Sequence, residues 1–150
     1  MLADVNVWLA TLVAEHPHHD SATAWWRRVV PESDTRVAFC RITQLGLLRL
    51  LGNVRVMGEE RKTLAAAWAI YERLLSQPPV VFAPEPEGTE QQLAKLSRTA
   101  GSSGKSGRFW TDGYLAAFAQ AGELRLATFD RGFRRFEDLD LELLQPGEQR

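Results

Sequence analysis

Short apolar runs with strand character alternate with helix-patterned stretches along the chain, and that alternation restricts the fold more than any other feature. Residues 1–5, "RVAFC" at 36–40, "PPVVFAPE" at 78–85, "LRLATF" at 124–129 and "LDLELL" at 139–144 read as strands. Between them, helices are expected from Val7 to about Val13, Ser21 to Val30, 41–52, 63–77, Glu90 to Thr99 and 111–122. Thr63 is expected to cap the start of its helix, and Gly52 to close the preceding one in a left-handed conformation. "GSSGKSG" at 101–107 reads as a flexible polar loop. Strands that alternate with helices are joined by right-handed crossovers, so the pattern predicts an α/β fold: a mainly parallel sheet covered on both faces.

At 150 residues the chain suits a single domain, 1–150. With 45% hydrophobic and 25% charged residues it has the make-up of an ordinary soluble protein. A lone cysteine, Cys40, excludes a disulfide framework and fits a reducing, cytoplasmic setting. No run is long enough for a membrane span, and Asp4 arrives before any basic leader region. A net charge of −1 argues against a general nucleic-acid coat but allows a local basic rim around an acidic site.

Two of the strands end on a carboxylate, "MLAD" on Asp4 and "LATFD" on Asp130. In open parallel sheets ligands sit beyond the carboxyl ends of the strands, so both acids belong to that edge. Asp112 lies on one helical face with Leu115, Ala116 and Ala119, and is therefore turned toward the protein. With Thr111 as N-cap it would stand in the first turn, where the helix dipole favours an anion. Gln44 shares a face with Leu47, Leu48 and Leu51 in the same way. Four polar side chains thus converge, three of them anionic. Carboxylates about 4 Å apart repel by roughly 4 kcal/mol at an effective dielectric of 20. They either hold protons or bind a cation, and an all-oxygen set suits Mg²⁺ or Mn²⁺. The matching chemistry is phosphoryl-oxygen hydrolysis by a metal-activated water.

"LADVNVWL", "RITQLGLLRLL", "WTDGYLAAFA" and "LATFDRGFRRF" resemble, in order and spacing, the PIN-domain ribonucleases, and most of all the VapC-type toxins of bacterial toxin–antitoxin pairs. The resemblance spans roughly residues 1 to 144. It implies a three-layer α/β/α sandwich, Mg²⁺ or Mn²⁺ at the sheet's carboxyl edge, and an RNA substrate (tRNA or rRNA) cut as an endoribonuclease. It also implies a cognate antitoxin, and a homodimer is expected from the adjacent tryptophans Trp25 and Trp26. Carried over by position, Asp4, Asp112 and Asp130 are the catalytic acids and metal ligands. Gln44 occupies the place of the family's usual glutamate, so Gln44→Glu is expected to tighten Mn²⁺ binding. Asn6 fits the pattern too, and is expected to cap the first helix. Thr43 and Thr128 would hold the carboxylates in place. Arg41, Arg108 and Arg131 would clamp RNA phosphates.

Other readings of the same residues are weaker. Because Gln44 carries no charge, a catalytically weakened RNA- or antitoxin-binding protein is the alternative. A haloacid-dehalogenase-type phosphatase wants an aspartate where Asn6 stands and a lysine after a strand, which the chain lacks. "EHPHHD" has the wrong spacing for zinc and reads as a polar turn. "GSSGKSG" lacks the first glycine of a phosphate loop. Among five tryptophans, adjacent Trp25 and Trp26 diverge by about 100° on a helix, which puts one of them at an interface or both in a two-sided core.

Overall fold

A computed structural model of the chain describes residues 1–31, 34–100 and 106–145. Its sheet has five strands, β1 (Leu2–Ala3), β2 (Val37–Phe39), β3 (Val80–Phe82), β4 (Leu126–Thr128) and β5 (Leu141–Leu143). They lie in the order β3-β2-β1-β4-β5, and every neighbouring pair is parallel. Helices α1 (Val5–Leu12), α2 (His19–Val29), α3 (Arg41–Leu51), α4 (Val54–Met57), α5 (Leu64–Leu75), α6 (Thr89–Thr99) and α7 (Ser106–Ala121) cover it.

The side-chain alternation of the strands divides the core in two. Ala3, Val37, Phe39 and Ala127 pack with Trp8, Trp25, Leu47 and Tyr71 from α1, α2, α3 and α5. Leu2, Ala38 and Leu126 face the other way, onto Leu96 of α6 and Phe109, Leu115 and Phe118 of α7. This period of two is what a sheet buried on both faces demands, and it produces the expected sandwich. No described helix is long and apolar enough to cross a membrane.

Several local expectations need correction. α1 begins at Val5, because the Asp4 side chain accepts the Val5 N–H and is itself the cap; Asn6 falls inside the first turn. Gly52 ends α3 at φ −88°, ψ −5°, a right-handed conformation, so its glycine is not needed for a left-handed cap. α7 starts at Ser106, five residues before Thr111, so Thr111 is no N-cap and Asp112 stands in the helix body. The buried ring of Phe109 gives this early turn a core anchor that the glycine-rich sequence conceals. Most of the expected 101–107 loop lies outside the described residues, and its last two positions are helical. Trp25 is buried and Trp26 packs half-buried on the same core, so the pair shares one core despite diverging on the helix. The exposed indoles are those of Trp68 and Trp110.

Candidate active site

β1 and β4 are neighbours at the point where the strand order reverses, since β1 connects onward to one side of the sheet and β4 to the other. Splayed connections leave a crevice beyond such strand ends. Asp4 directly follows β1, and its backbone N–H donates to the Ala127 carbonyl at 2.9 Å, pinning it to β4. Asp130 follows β4 by two residues and caps the 3-10 turn Arg131–Arg135, its Oδ1 accepting the Gly132 N–H at 2.7 Å. Asp112 comes from α7, which packs behind β4. Asp4, Asn6, Thr43, Gly46, Arg49, Arg108, Asp112 and Asp130 line one cleft of about 670 Å³.

A compact network fixes Asp4. Thr128 Oγ1 donates to its Oδ2 at 2.7 Å, and Asn6 Nδ2 donates to the same oxygen at 2.9 Å. Asn6 Oδ1 in turn accepts the Phe129 N–H, and Thr128 Oγ1 accepts the Asp130 N–H. Burial nevertheless pushes the Asp4 carboxyl up to about 6; Thr128 and the Val5 N–H oppose that rise, and the charges of Asp112 and Asp130 add to it. Asp112 is raised as well, by burial first, with the Arg135 guanidinium opposing and Asp130 contributing. The three acids therefore feel one another across the cleft. They do not close on a single point: among the described residues no three His, Cys, Asp or Glu side chains form a ready-made metal cage. Asp112 Oδ2 instead accepts a 2.7 Å hydrogen bond from Arg135 Nη2.

The other expected residues divide. Thr128 and Asn6 hold a carboxylate, as Thr128 was expected to do. Thr43 does not: its hydroxyl bonds the Cys40 backbone in a capping box at the start of α3. Gln44 is buried, accepts from Arg41, and is absent from the cleft lining. Arg41 lies over the Phe82 ring, and neither it nor exposed Arg131 lines the cleft; Arg108 does. The histidines have packing roles, His18 stacking on Phe129 and His19 Nδ1 meeting the Ala10 carbonyl. Sequence reasoning misses Arg135, although "FDRGFRRF" puts a basic pair one 3-10 turn beyond an acid; Arg135 lies outside the cleft lining but reaches Asp112.

The structure places an acid-lined cleft at the switch point of a parallel α/β/α sandwich, the place where such folds bind ligands, and the comparisons show which family this is. The PIN-domain family model matches residues 1–139. The chain is 36% identical over 148 residues to Ribonuclease VapC41 of Mycobacterium tuberculosis, spanning 96% of this chain and 98% of that one. Among solved structures, Rickettsia felis VapBC2 bound to a promoter DNA fragment matches with a TM-score of 0.67 at 16% identity, covering 96% of this chain and 98% of that chain. The M. tuberculosis toxin VapC20, which cleaves the sarcin–ricin loop, matches with 0.66 at 18% identity, covering 93% and 96%. The chain belongs to the PIN-domain family and, within it, to the VapC-type ribonuclease toxins.

Proposed function

We propose that this chain is a Mg²⁺- or Mn²⁺-dependent endoribonuclease that acts as the toxin of a toxin–antitoxin pair. The observation that carries the metal dependence is the convergence of Asp4, Asp112 and Asp130 on one cleft, with the Asp4 carboxyl raised to about 6 by burial and by its two anionic neighbours. Like charges held together in this way favour a hard cation, and the donors are all oxygen. The residues fit such an ion in charge and chemistry; Asp112, which also carries the Arg135 guanidinium, completes the set.

Asp4 and Asp112 would hold the ion, with Asp130 as a further ligand or a group that orients water. When bound, the ion supplies charge neutralisation for a phosphodiester under attack and lowers the pKa of a nearby water. Thr128 and Asn6 hold the Asp4 carboxylate in place by donating to its Oδ2. The Gly132 N–H holds Asp130. Arg108 on the rim is placed to take an RNA phosphate.

Partners follow from relatives: VapBC2 was solved as a toxin–antitoxin complex, which supports a cognate antitoxin here, and VapC20 supports structured RNA as substrate. The weakened-binder alternative rests on Gln44, which stands outside the cleft lining. Purified protein and its Asp4→Ala variant, each incubated with structured RNA plus Mg²⁺ or Mn²⁺, decide the matter. Cleavage by the wild type alone is expected. Cleavage by both would indicate a contaminant, and cleavage by neither would favour the binder.

A further inference from the structure

We infer that Arg135 is a built-in competitor of the metal: its guanidinium pairs with Asp112, the carboxylate that an ion in the cleft would share. The inference rests on the metal reading above and specifies how the ion is admitted. Three observations support it. Arg135 Nη2 sits 2.7 Å from Asp112 Oδ2, a charge-assisted hydrogen bond on the same carboxylate that a metal would need. The two side chains differ in freedom, with Asp112 19% exposed on a rigid helix and Arg135 44% exposed at the end of a 3-10 turn. Arg135 is therefore the less enclosed of the two. Finally, the guanidinium lies 4.9 Å from the centroid of the Phe136 ring, so a cation–π contact supports its place beside Asp112.

Electrostatics gives the contact its purpose. Without a counter-ion, Asp112 would add an unpaired charge to a cleft where Asp4 and Asp130 already repel it. Arg135 offsets that repulsion until a divalent ion arrives with twice the charge. The ion and the guanidinium then repel each other across Asp112, so binding is weaker than the acids alone would allow.

The test is Mn²⁺ affinity by calorimetry, with Mn²⁺-induced thermal stabilisation as a second readout, for wild type, Arg135→Met and Arg135→Gln. Methionine keeps an apolar stem against Phe136, and glutamine provides a second variant should the first fold poorly. Arg134→Ala, on the exposed side of the same turn, removes an equal charge without touching Asp112. Losing one partly exposed ion pair as competitor is expected to tighten Mn²⁺ binding about fivefold in the Arg135 variants. Arg134→Ala is expected to change it by less than about twofold. The gain should vanish when Asp112→Asn is present, since the cycle then has no pair to break. Wild-type binding that Arg135 variants leave unchanged or weaken, or an equal gain from Arg134→Ala, would overturn the competitor role while leaving the metal site intact. No saturable Mn²⁺ binding by any variant would overturn the metal reading, and the competitor role with it.

Discussion

Thr128 Oγ1 donates to Asp4 Oδ2 at 2.7 Å, joining residues 124 positions apart in sequence at the carboxyl ends of adjacent strands. The same hydroxyl oxygen accepts the Asp130 N–H, so one fully buried side chain ties the Asp4 carboxylate to the backbone at Asp130. Its donor role lowers the Asp4 pKa against the pull of burial. Thr128→Val preserves shape and β-branching but removes both bonds. It leaves the Asp130 N–H and one Asp4 contact unmet, a cost of about 1–3 kcal/mol. Urea denaturation should show that loss, and RNA cleavage should fall with it. Thr128→Ser should recover most of both. Equal stability of the valine variant and wild type would refute the arrangement.

Asp4 makes stability depend on pH in a definite direction. Its carboxyl rises from an ordinary 3.8 to about 6 on folding, so the folded state holds the proton more tightly than the unfolded chain. Between those values the folded protein binds more protons, and stability therefore falls as pH rises. Two pKa units amount to about 3 kcal/mol. In buffer with chelator, the stability of Asp4→Asn relative to wild type should improve by up to about that amount from pH 4 to pH 7. Parallel stability–pH curves would show that Asp4 titrates normally. Mn²⁺ affinity should rise through the same window as the proton leaves.

Gln44→Glu separates position in sequence from position in space. Its place in the order of motifs suggests that an added carboxylate there would strengthen the metal site. The amide is buried, takes a hydrogen bond from Arg41, and touches Tyr71 rather than the acid cleft. A glutamate would pair with Arg41. Mn²⁺ affinity is expected to stay within about twofold of wild type in calorimetry; a larger rise would mean that residue 44 reaches the ion.

The parts of this molecule legible in the sequence are those set by pattern. The period-two burial of Leu2 and Ala3 in β1, and of Leu126 and Ala127 in β4, follows from apolar runs that end on acids, and topology then brings Asp4 and Asp130 to one edge. Asp112 turns inward as its spacing to Leu115 and Ala119 requires, although the helix begins earlier than its sequence suggests. What stayed hidden depends on side-chain choice. Thr43 could bond a carboxylate or its own helix start, and the nearby Cys40 backbone wins because the contact is local. Arg135 could reach solvent or Asp112, and only the bend of the 3-10 turn decides that.

Gly132 offers the sharpest test of that turn. A Cβ built on it would lie 2.9 Å from Asp130 Oδ1, closer than a side-chain contact allows, and the same carboxylate oxygen accepts the Gly132 N–H at 2.7 Å. A side chain here meets the Asp130 carboxylate rather than backbone, and the backbone of Gly132 is not in the left-handed region. In Gly132→Ala, Asp130 must rotate away and the turn loses its capping bond, at a cost of about 1 kcal/mol. Because Asp130 faces the cleft, displacement by a few tenths of an ångström should reach the chemistry before it reaches the fold. RNA cleavage is expected to drop about tenfold while the thermal midpoint moves by only a few degrees. Full activity in the alanine variant would mean that Asp130 works equally well in another orientation, or not at all.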